Sequence, residues 1–329
     1  MILSKMLNFN KHIGRIAVKN ILIIKLDAVG DMVYATPVFK LLIQKYPESK
    51  LTVFCRESIK SLIKYDPHLS LIITDLNQLK QKYDLVIDLR GNFKTLGFAL
   101  FNPPTFRLDR GTIRFRNKLK GNHPHELITN VQIIEPIIKV DFKSLQPEIY
   151  FSIENERLVK NYLEQNLIGN FAVLHVGASR DLRKWSPLKF AELANYLKNQ
   201  IQLEIIFVGS SRDIIDIQKV QKEINFKTFN VAGEFSWTAY AALVQKAKLF
   251  IGNESGPLHV AAAMQTPLVG LFGPGEPDVF YPFGEKSTFV HHVLPCNPCN
   301  QIDCIHLENT CMQRITLTEV IDKINALGF

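Results

Sequence analysis

The chain has 329 residues, of which 47% are hydrophobic, and it carries a net charge of +8 with a pI of about 9.1. That length exceeds what a single hydrophobic core usually supports, so two domains are expected. No apolar run approaches the roughly 18 residues of a membrane span, and polar residues interrupt the first twenty too often for a signal-peptide core, which predicts a cytoplasmic protein. The basic excess favours anionic partners: nucleotides, acidic glycans, nucleic acid or a membrane surface.

Short β-branched runs alternate with helical patterns in the N-terminal half. Residues 20–26, NILIIKL, precede a periodic stretch from Met32 to Tyr46, and further strands are predicted at LTVFC, LSLIIT and YDLVIDL. This alternation is typical of βαβ units that build a parallel sheet.

The same alternation resumes after residue 170. Strands are predicted at FAVLHVG, LEIIFVG, AKLFIGN and PLVGLFG, with helices between them. A final helix is predicted after Thr316, because Thr316 and Glu319 have the spacing of a capping box. The fold class is therefore α/β, with two Rossmann-like, doubly wound parallel-sheet domains.

The predicted domains comprise residues 1–150 and 151–314, with the linker inside 140–155. Ligands of doubly wound domains bind outside the carboxyl ends of the strands, so the site is expected in a cleft between the two domains. Two strand-to-helix turns carry most of the chemistry, residues 25–37 and 251–264.

The C-terminal turn reads IGNESGPLHVAAAM. Ser255 is a candidate N-cap, Gly256 lets a ligand approach the backbone, and Pro257 suits the first helical turn. Phosphate binds readily at such a helix start. His259, one turn further, is predicted to face that phosphate, and Glu254 to accept hydrogen bonds from sugar hydroxyls. The alternative is an ordinary capped helix whose histidine belongs to the core.

The N-terminal turn reads DAVGDMVYATP. Gly30 permits a tight turn, and Asp31 then stands at the start of a helix, where the dipole favours an ionised carboxylate. Such a group can take a proton from an attacking hydroxyl. Asp27 is a competitor for this role, and a simple helix cap is the alternative for Asp31.

Two basic segments are candidates for anion binding. In GASRDLRKWSP, the candidate donor-binding residues are Ser179, Arg183 and Lys184, since arginine contacts diphosphate well. The run from Arg107 to His125 suits an anionic acceptor or the membrane that bears it, although solvated surface charge is the alternative. Its candidate acceptor-binding residues are Arg110, Arg114, Arg116 and Lys118.

Four of the five cysteines, Cys296, Cys299, Cys304 and Cys311, have the spacing C-x2-C-x4-C-x6-C. In a cytosolic chain, clustered cysteines indicate a structural zinc site before disulfides. The spacing matches no standard zinc finger, so disulfides and free thiols remain open as alternatives. A site closed by four thiolates would be structural, because it leaves no coordination position for a substrate.

Several common nucleotide motifs are absent from the sequence. There is no G-x-x-x-x-G-K-[ST] loop, no G-x-G-x-x-G after the first strand and no Asp-x-Asp. These absences argue against a P-loop enzyme and a dinucleotide oxidoreductase. They also predict catalysis without a metal or other cofactor, with the diphosphate charge met by the helix start and basic side chains.

At these residues the sequence resembles glycosyltransferase family 9, the ADP-heptose:lipopolysaccharide heptosyltransferases. The two long stretches ILIIKLDAVGDMVYATPVFKLLIQKYP and IGNESGPLHVAAAMQTPLVGLFGPGEP carry the resemblance, together with YDLVIDLRGN, RKWSP and CMQRIT. It implies a GT-B fold, with the donor held mainly by the C-terminal domain and a last helix, residues 315–329, packed back on the first domain.

The resemblance also implies inverting transfer, with Asp31 as base and Glu254, Ser255, Gly256 and His259 at the donor. The family often has Asp where this chain has Glu254, and Lys where it has Arg183. The implied partners are ADP-heptose and an anionic glycolipid of the lipopolysaccharide inner core, at the cytoplasmic face of the inner membrane, and not nucleic acid. Rival interpretations are another donor sugar, a nucleotide-sugar epimerase and a non-catalytic basic binding protein.

Overall fold

The computed structural model describes residues 17–79, 82–92, 95, 104–306 and 309–329. The chain divides into two compact units, residues 1–148 and 149–329. The division falls two residues before the boundary predicted at residue 150. Among the described residues, no helix combines the length and the apolar composition that crossing a bilayer requires.

The first unit is a parallel sheet with helices between its strands. Its strands are β1 Asn20–Ile24, β2 Lys50–Phe54, β3 Leu71–Ile73, β4 Leu85–Asp88 and β5 Phe106–Asp109, in the order β3-β2-β1-β4-β5. Its helices are α1 Val29–Val33, α2 Thr36–Lys45, α3 Glu57–Lys60, α4 Arg110–Leu119 and α5 Glu126–Gln132. The strand order reverses beside β1, so a ligand crevice is expected outside the carboxyl ends of β1 and β4.

One predicted helix is divided in two. The sequence predicts a single helix from Met32 to Tyr46, but α1 ends at Val33 and α2 begins at Thr36. Pro37 has no N–H to donate to the Val33 carbonyl four residues earlier. The Thr36 hydroxyl donates to that carbonyl instead, at 2.9 Å.

The basic run that begins at Arg107 forms regular secondary structure and not an irregular loop. It forms β5 and then α4, where the Asp109 carboxylate caps the helix by accepting from the Thr112 N–H at 3.2 Å.

The second unit repeats the doubly wound plan. Its strands are β6 Phe171–His175, β7 Glu204–Phe207, β8 Phe229–Asn230, β9 Leu249–Asn253, β10 Leu268–Phe272 and β11 Ser287–His291, all parallel, in the order β11-β10-β9-β6-β7-β8. Its helices are α6 Ile153–Gln165, α7 Pro187–Asn199, α8 Ile214–Gln221, α9 Trp237–Lys246, α10 Gly256–Ala263, α11 Pro277–Phe280, α12 Cys311–Arg314 and α13 Leu317–Ala326. The reversal lies between β6 and β9, which places the crevice at the turn that opens α10. The prediction of two doubly wound α/β domains is confirmed.

The last helix, α13, has the predicted cap. The Thr316 hydroxyl accepts from the Glu319 N–H, and the Glu319 carboxylate accepts from the Thr316 N–H at 2.8 Å. The apolar residues Val320 and Ile324 are fully buried in the core of the second unit, where α13 packs on α7, β10 and β11. Packing of this helix on the first domain, which the resemblance implies, stays a prediction.

Candidate functional site

Asp31 lies in the first turn of α1, just beyond the carboxyl end of β1. Its carboxylate accepts a hydrogen bond from the Ala28 N–H at 3.3 Å. The Asp31 side chain is still 24% exposed. The Asp31 carboxylate therefore forms a hydrogen bond at the N-terminal end of α1 and remains accessible to a substrate from solvent.

A buried lysine lies behind Asp31. Lys25 is fully buried, and its Nζ lies 3.1 Å from Glu126, 3.2 Å from Asp27 and 3.9 Å from Asp31. Arg110 forms a bidentate ion pair with the same Glu126. Buried charges persist only when they are paired, so these five side chains form one network, the Lys25 network.

The Lys25 network sets the protonation of its members. Burial raises the pKa of Asp31, the positive charge of Lys25 opposes that rise, and the negative charge of Glu126 adds to it. Burial would also raise the pKa of Glu126, but Lys25 and Arg110 outweigh it and hold that pKa below its usual range. Asp31 is thus a better proton acceptor than an ordinary aspartate, whereas Glu126 stays ionised as a fixed counter-charge.

Two of the four predicted acceptor-binding residues, Arg110 and Arg116, have acidic partners in the structure, and acceptor binding stays a prediction for all four. Arg110 is only 6% exposed and is used inside the protein to hold the buried glutamate of the network. Arg116 pairs with Glu135 at 3.3 Å. Arg114 and Lys118 are exposed on α4 and remain candidates for an anionic acceptor.

Sequence reasoning missed Lys25, Glu126 and Arg90, which pairs with Asp27. The sequence did contain a signal for Lys25, because it directly follows a strand whose last four residues are apolar, and a cation next to such a run needs a partner. Glu126 lies 101 positions away from Lys25 along the chain. Only the fold brings it there.

The turn that opens α10 differs from the prediction at Ser255. The Ser255 hydroxyl makes no cap to the helix; it donates to the Asn253 carbonyl at 3.0 Å and lies 3.1 Å from His175 Nδ1. Since no side chain among the described residues caps α10, its first N–H groups lack an internal partner and suit an anion. Burial lowers the pKa of His175 to about 4, so the imidazole beside this turn is neutral at pH 7.

Glu254 is a buried acid beside the same turn. It is 6% exposed, burial raises its pKa, and its Oε2 has no hydrogen-bond partner among the described residues. A Cβ at Gly275 would come within 2.1 Å of that oxygen, so only glycine leaves the carboxylate its place. An unpartnered buried carboxylate oxygen is an acceptor prepared for ligand hydroxyls.

Two adjacent basic residues in the loop before α7, both candidates for donor binding, have different partners. Arg183 lies 3.5 Å from Glu254, and its Nε donates to the Gln301 side chain at 2.6 Å. Lys184 instead pairs with Asp181 and Asp216, both at 2.8 Å. Lys184 is therefore paired with acids of its own unit, whereas Arg183 lies beside Glu254, and the contacts of both with a donor stay predictions.

Three further predicted donor residues lie in these two turns. Gly256 is the first residue of α10, and His259 is buried at 5% exposure one turn into that helix. Ser179 is exposed in the loop that carries Arg183. Their contacts with a donor stay predictions.

Sequence reasoning also missed Asn253. Its buried side-chain amide donates to the Val176 carbonyl at 2.8 Å and so joins the ends of β6 and β9.

The cysteines are unpaired thiols. Burial raises the pKa of Cys311, and the neighbouring Cys304 and Cys299 add to the rise. Within the described ranges, no three His, Cys, Asp or Glu side chains are grouped so that they could hold a metal ion. As placed, these side chains do not fit a metal, and the zinc site remains a prediction that this arrangement does not support.

Solved structures identify the architecture. A glycosyltransferase of family 9 from Veillonella parvula matches with a TM-score of 0.84 and 21% identity, over 95% of this chain and 98% of that one. The ADP-heptose lps heptosyltransferase II of E. coli matches with a TM-score of 0.74 and 22% identity, over 94% and 98%. The fold is that of the GT-B glycosyltransferases.

The family model described as glycosyltransferase family 9 (heptosyltransferase) matches residues 75–309. The chain belongs to this family and is a glycosyltransferase. Among characterised relatives, the lipooligosaccharide heptosyltransferase 2 of Campylobacter jejuni serotype O:2 is 25% identical over 311 residues, covering 91% of this chain and 95% of that protein. The family assignment decides against the epimerase and the non-catalytic binding protein.

Proposed function

We propose that this protein transfers heptose from ADP-heptose to an anionic inner-core glycolipid of lipopolysaccharide, with inversion at the anomeric carbon. The observation that carries the proposal is Asp31, an accessible carboxylate with a raised pKa at the switch point of the first unit. The names of the relatives support the substrate class, since they include a lipooligosaccharide heptosyltransferase and an ADP-heptose enzyme.

The second unit holds the donor in this proposal. The N–H groups that open α10 and the Arg183 guanidinium take the diphosphate, which needs positive partial charge from the protein. The free oxygen of Glu254 accepts from hydroxyls of the sugar. No step is assigned to a metal.

The first unit supplies the base. Asp31 removes the proton from the acceptor hydroxyl as that oxygen forms its bond to the anomeric carbon. The bond from the anomeric carbon to the diphosphate oxygen breaks with its electron pair, and ADP leaves. Arg114 and Lys118 attract the anionic acceptor, and the reaction takes place at the cytoplasmic face of the inner membrane.

The direct test measures ADP release with ADP-heptose and a lipopolysaccharide core that lacks heptose. Parallel calorimetric titrations with ADP, UDP, GDP and CMP identify the nucleotide, and ADP is expected to bind most tightly. Tighter binding of another nucleotide would leave the assignment as a glycosyltransferase unchanged, but it would mean that the donor is a different nucleotide sugar. ADP release that does not depend on the acceptor would contradict transfer.

The pH dependence of the reaction tests the Lys25 network. Asp31 acts as base only when ionised, so the rate is lost as the pH falls through its raised pKa, above the usual value of about 4. Lys25 lowers that pKa, so Lys25→Met is expected to move the acid limb of kcat to higher pH. The exposed Lys40, paired with Glu148, gives the control Lys40→Met. An acid limb that is the same in all three proteins would remove Lys25 from this role.

Gln301 is expected to position Arg183 for the donor. Gln301→Ala removes the 2.6 Å hydrogen bond that holds the guanidinium. Because one hydrogen bond contributes about 0.5–1.5 kcal/mol, the Kd for ADP should rise about 2- to 13-fold. Calorimetry measures it, with Gln221→Ala as a matched control, since Gln221 bonds Thr228 elsewhere in the unit. An unchanged Kd for ADP would show that Arg183 needs no such support.

A further inference from the structure

Ser255 stands at the cap position of α10 without capping the helix. Its backbone is extended, as that of an N-cap residue usually is, and serine is one of the strongest N-caps. Pro257 has no N–H, so a capping hydroxyl at this helix start would accept from the Leu258 N–H. The Ser255 hydroxyl instead donates to the Asn253 carbonyl at 3.0 Å. Its neighbours therefore hold it away from the helix.

The His175 imidazole is the side chain that holds this hydroxyl. Its Nδ1 lies 3.1 Å from Ser255 Oγ. Because the hydroxyl hydrogen is already donated to Asn253, the oxygen accepts from His175, which places the imidazole proton on Nδ1. Burial lowers the pKa of His175 to about 4, and the negative charge of Asp213 opposes this only in part. The ring is therefore neutral at pH 7 and contacts the hydroxyl as a hydrogen-bond donor, not as a cation.

The sheet fixes the position of the imidazole. His175 is the last residue of β6 and pairs with Gly252 of β9. A Cβ at Gly252 would come within 2.9 Å of the His175 Cβ, so a glycine is needed opposite this histidine. His175 is 3% exposed, and its ring has little room to move away from Ser255. The hydroxyl is thus held by groups at the ends of two neighbouring strands.

The same helix start has a second feature that points to a ligand. Glu254 is 6% exposed, and its Oε2 has no hydrogen-bond partner in the described part of the chain. One nucleotide sugar can supply both partners, a phosphate to the N–H groups of α10 and hydroxyls to Glu254. A serine cap would occupy the Leu258 N–H and compete with that phosphate.

We propose that His175 is a positioning residue that holds the Ser255 hydroxyl away from α10 and so keeps the Leu258 N–H free for the donor diphosphate. This inference deepens the proposed function and rests on it for the identity of the anion. It predicts a competition. Without the hydrogen bond from His175, Ser255 turns to the helix start, caps it, and must be displaced before a diphosphate binds.

Titration of the full chain with ADP tests this competition. His175→Leu is expected to raise the Kd about 2- to 30-fold, which corresponds to the usual strength of an N-cap. Adding Ser255→Ala to that variant should lower the Kd again, because alanine cannot cap. His175→Asn, whose amide can donate from the place of Nδ1, should bind ADP nearly as tightly as the wild type.

The matched control is Val173→Ala. Val173 is fully buried and lies two residues before His175 in β6, so the change loosens the same strand on the same face. It leaves both contacts of the Ser255 hydroxyl in place. The Kd for ADP should change much less than in His175→Leu.

Amide hydrogen exchange gives a second readout that needs no ligand. In nucleotide-free protein, the Leu258 amide should exchange more slowly in His175→Leu than in the wild type, and adding Ser255→Ala should remove the extra protection. A merely structural role predicts faster exchange at this amide and a Kd that Ser255→Ala does not improve, and either result would overturn the proposal. So would an effect of His175→Leu on the Kd that grows as the pH falls from about 8 to about 6, since His175 would then act as a cation.

Inorganic pyrophosphate separates this inference from the proposed function. If pyrophosphate binding follows the expected order among the variants while the wild type consumes no ADP-heptose, the substrate assignment is wrong and the role of His175 stands. If the wild type releases ADP with the acceptor and His175→Leu binds ADP equally tightly, the proposed function stands and the role of His175 is refuted.

Discussion

Asp31→Asn is expected to lower kcat about 10²- to 10⁴-fold, the usual contribution of a positioned base. Asparagine fills the same space and can still accept the Ala28 hydrogen bond, so the turn should keep its shape. The proposed nucleotide contacts all lie in the second unit, so the Kd for ADP should not change. Steady-state kinetics and calorimetric titration measure the two quantities.

Asp27→Asn is the comparison that separates the two acids of this turn. The Asp27 side chain is 11% exposed and is paired with Arg90 and Lys25, so it is poorly placed to meet a substrate hydroxyl. A smaller loss of kcat is expected than for Asp31→Asn. Near-normal turnover of Asp31→Asn, with a large loss for Asp27→Asn, would transfer the role of base to Asp27.

Glu126→Ala should cause the largest loss of stability. It leaves Lys25, which is fully buried, and Arg110 without their shared carboxylate. Removing one partner from a buried ion pair costs about 3–5 kcal/mol, because a charge is left without compensation in a medium of low polarity. The free energy of opening of the β1 amides, measured by hydrogen exchange, should fall by that amount.

Glu135→Ala is the matched control for this loss. Glu135 also pairs with an arginine of α4, Arg116, but its side chain is 35% exposed and that of Arg116 is 42% exposed. An exposed pair contributes about 0–1 kcal/mol. Similar small effects for the two variants would mean that water reaches the Lys25 network.

Because Glu126 has a lowered pKa, its contribution to the free energy of unfolding is constant at neutral pH and is lost only as the pH falls through that pKa.

The sequence by itself determined the architecture. Buried strands of a parallel sheet read as continuous apolar runs, and the residues of NILII and FAVLH have that character because both faces of the sheet are covered. The polar residues in the turns that follow such strands, Asp31 and Glu254 among them, could be located because parallel strands place their carboxyl ends at one edge. Both patterns involve neighbouring residues in the sequence, so they can be recognised without knowledge of the tertiary structure.

The tertiary structure decided which charges are free to act. In the sequence, Arg110 and Arg114 are equivalent members of a basic run, as are Arg183 and Lys184 in their loop. The fold buries Arg110 against Glu126 and pairs Lys184 with Asp181 and Asp216, whereas it leaves Arg114 exposed and Arg183 beside Glu254. The partner of a charge is set by distance in space, and Lys25 and Glu126, which are 101 positions apart along the chain, meet only in the folded structure.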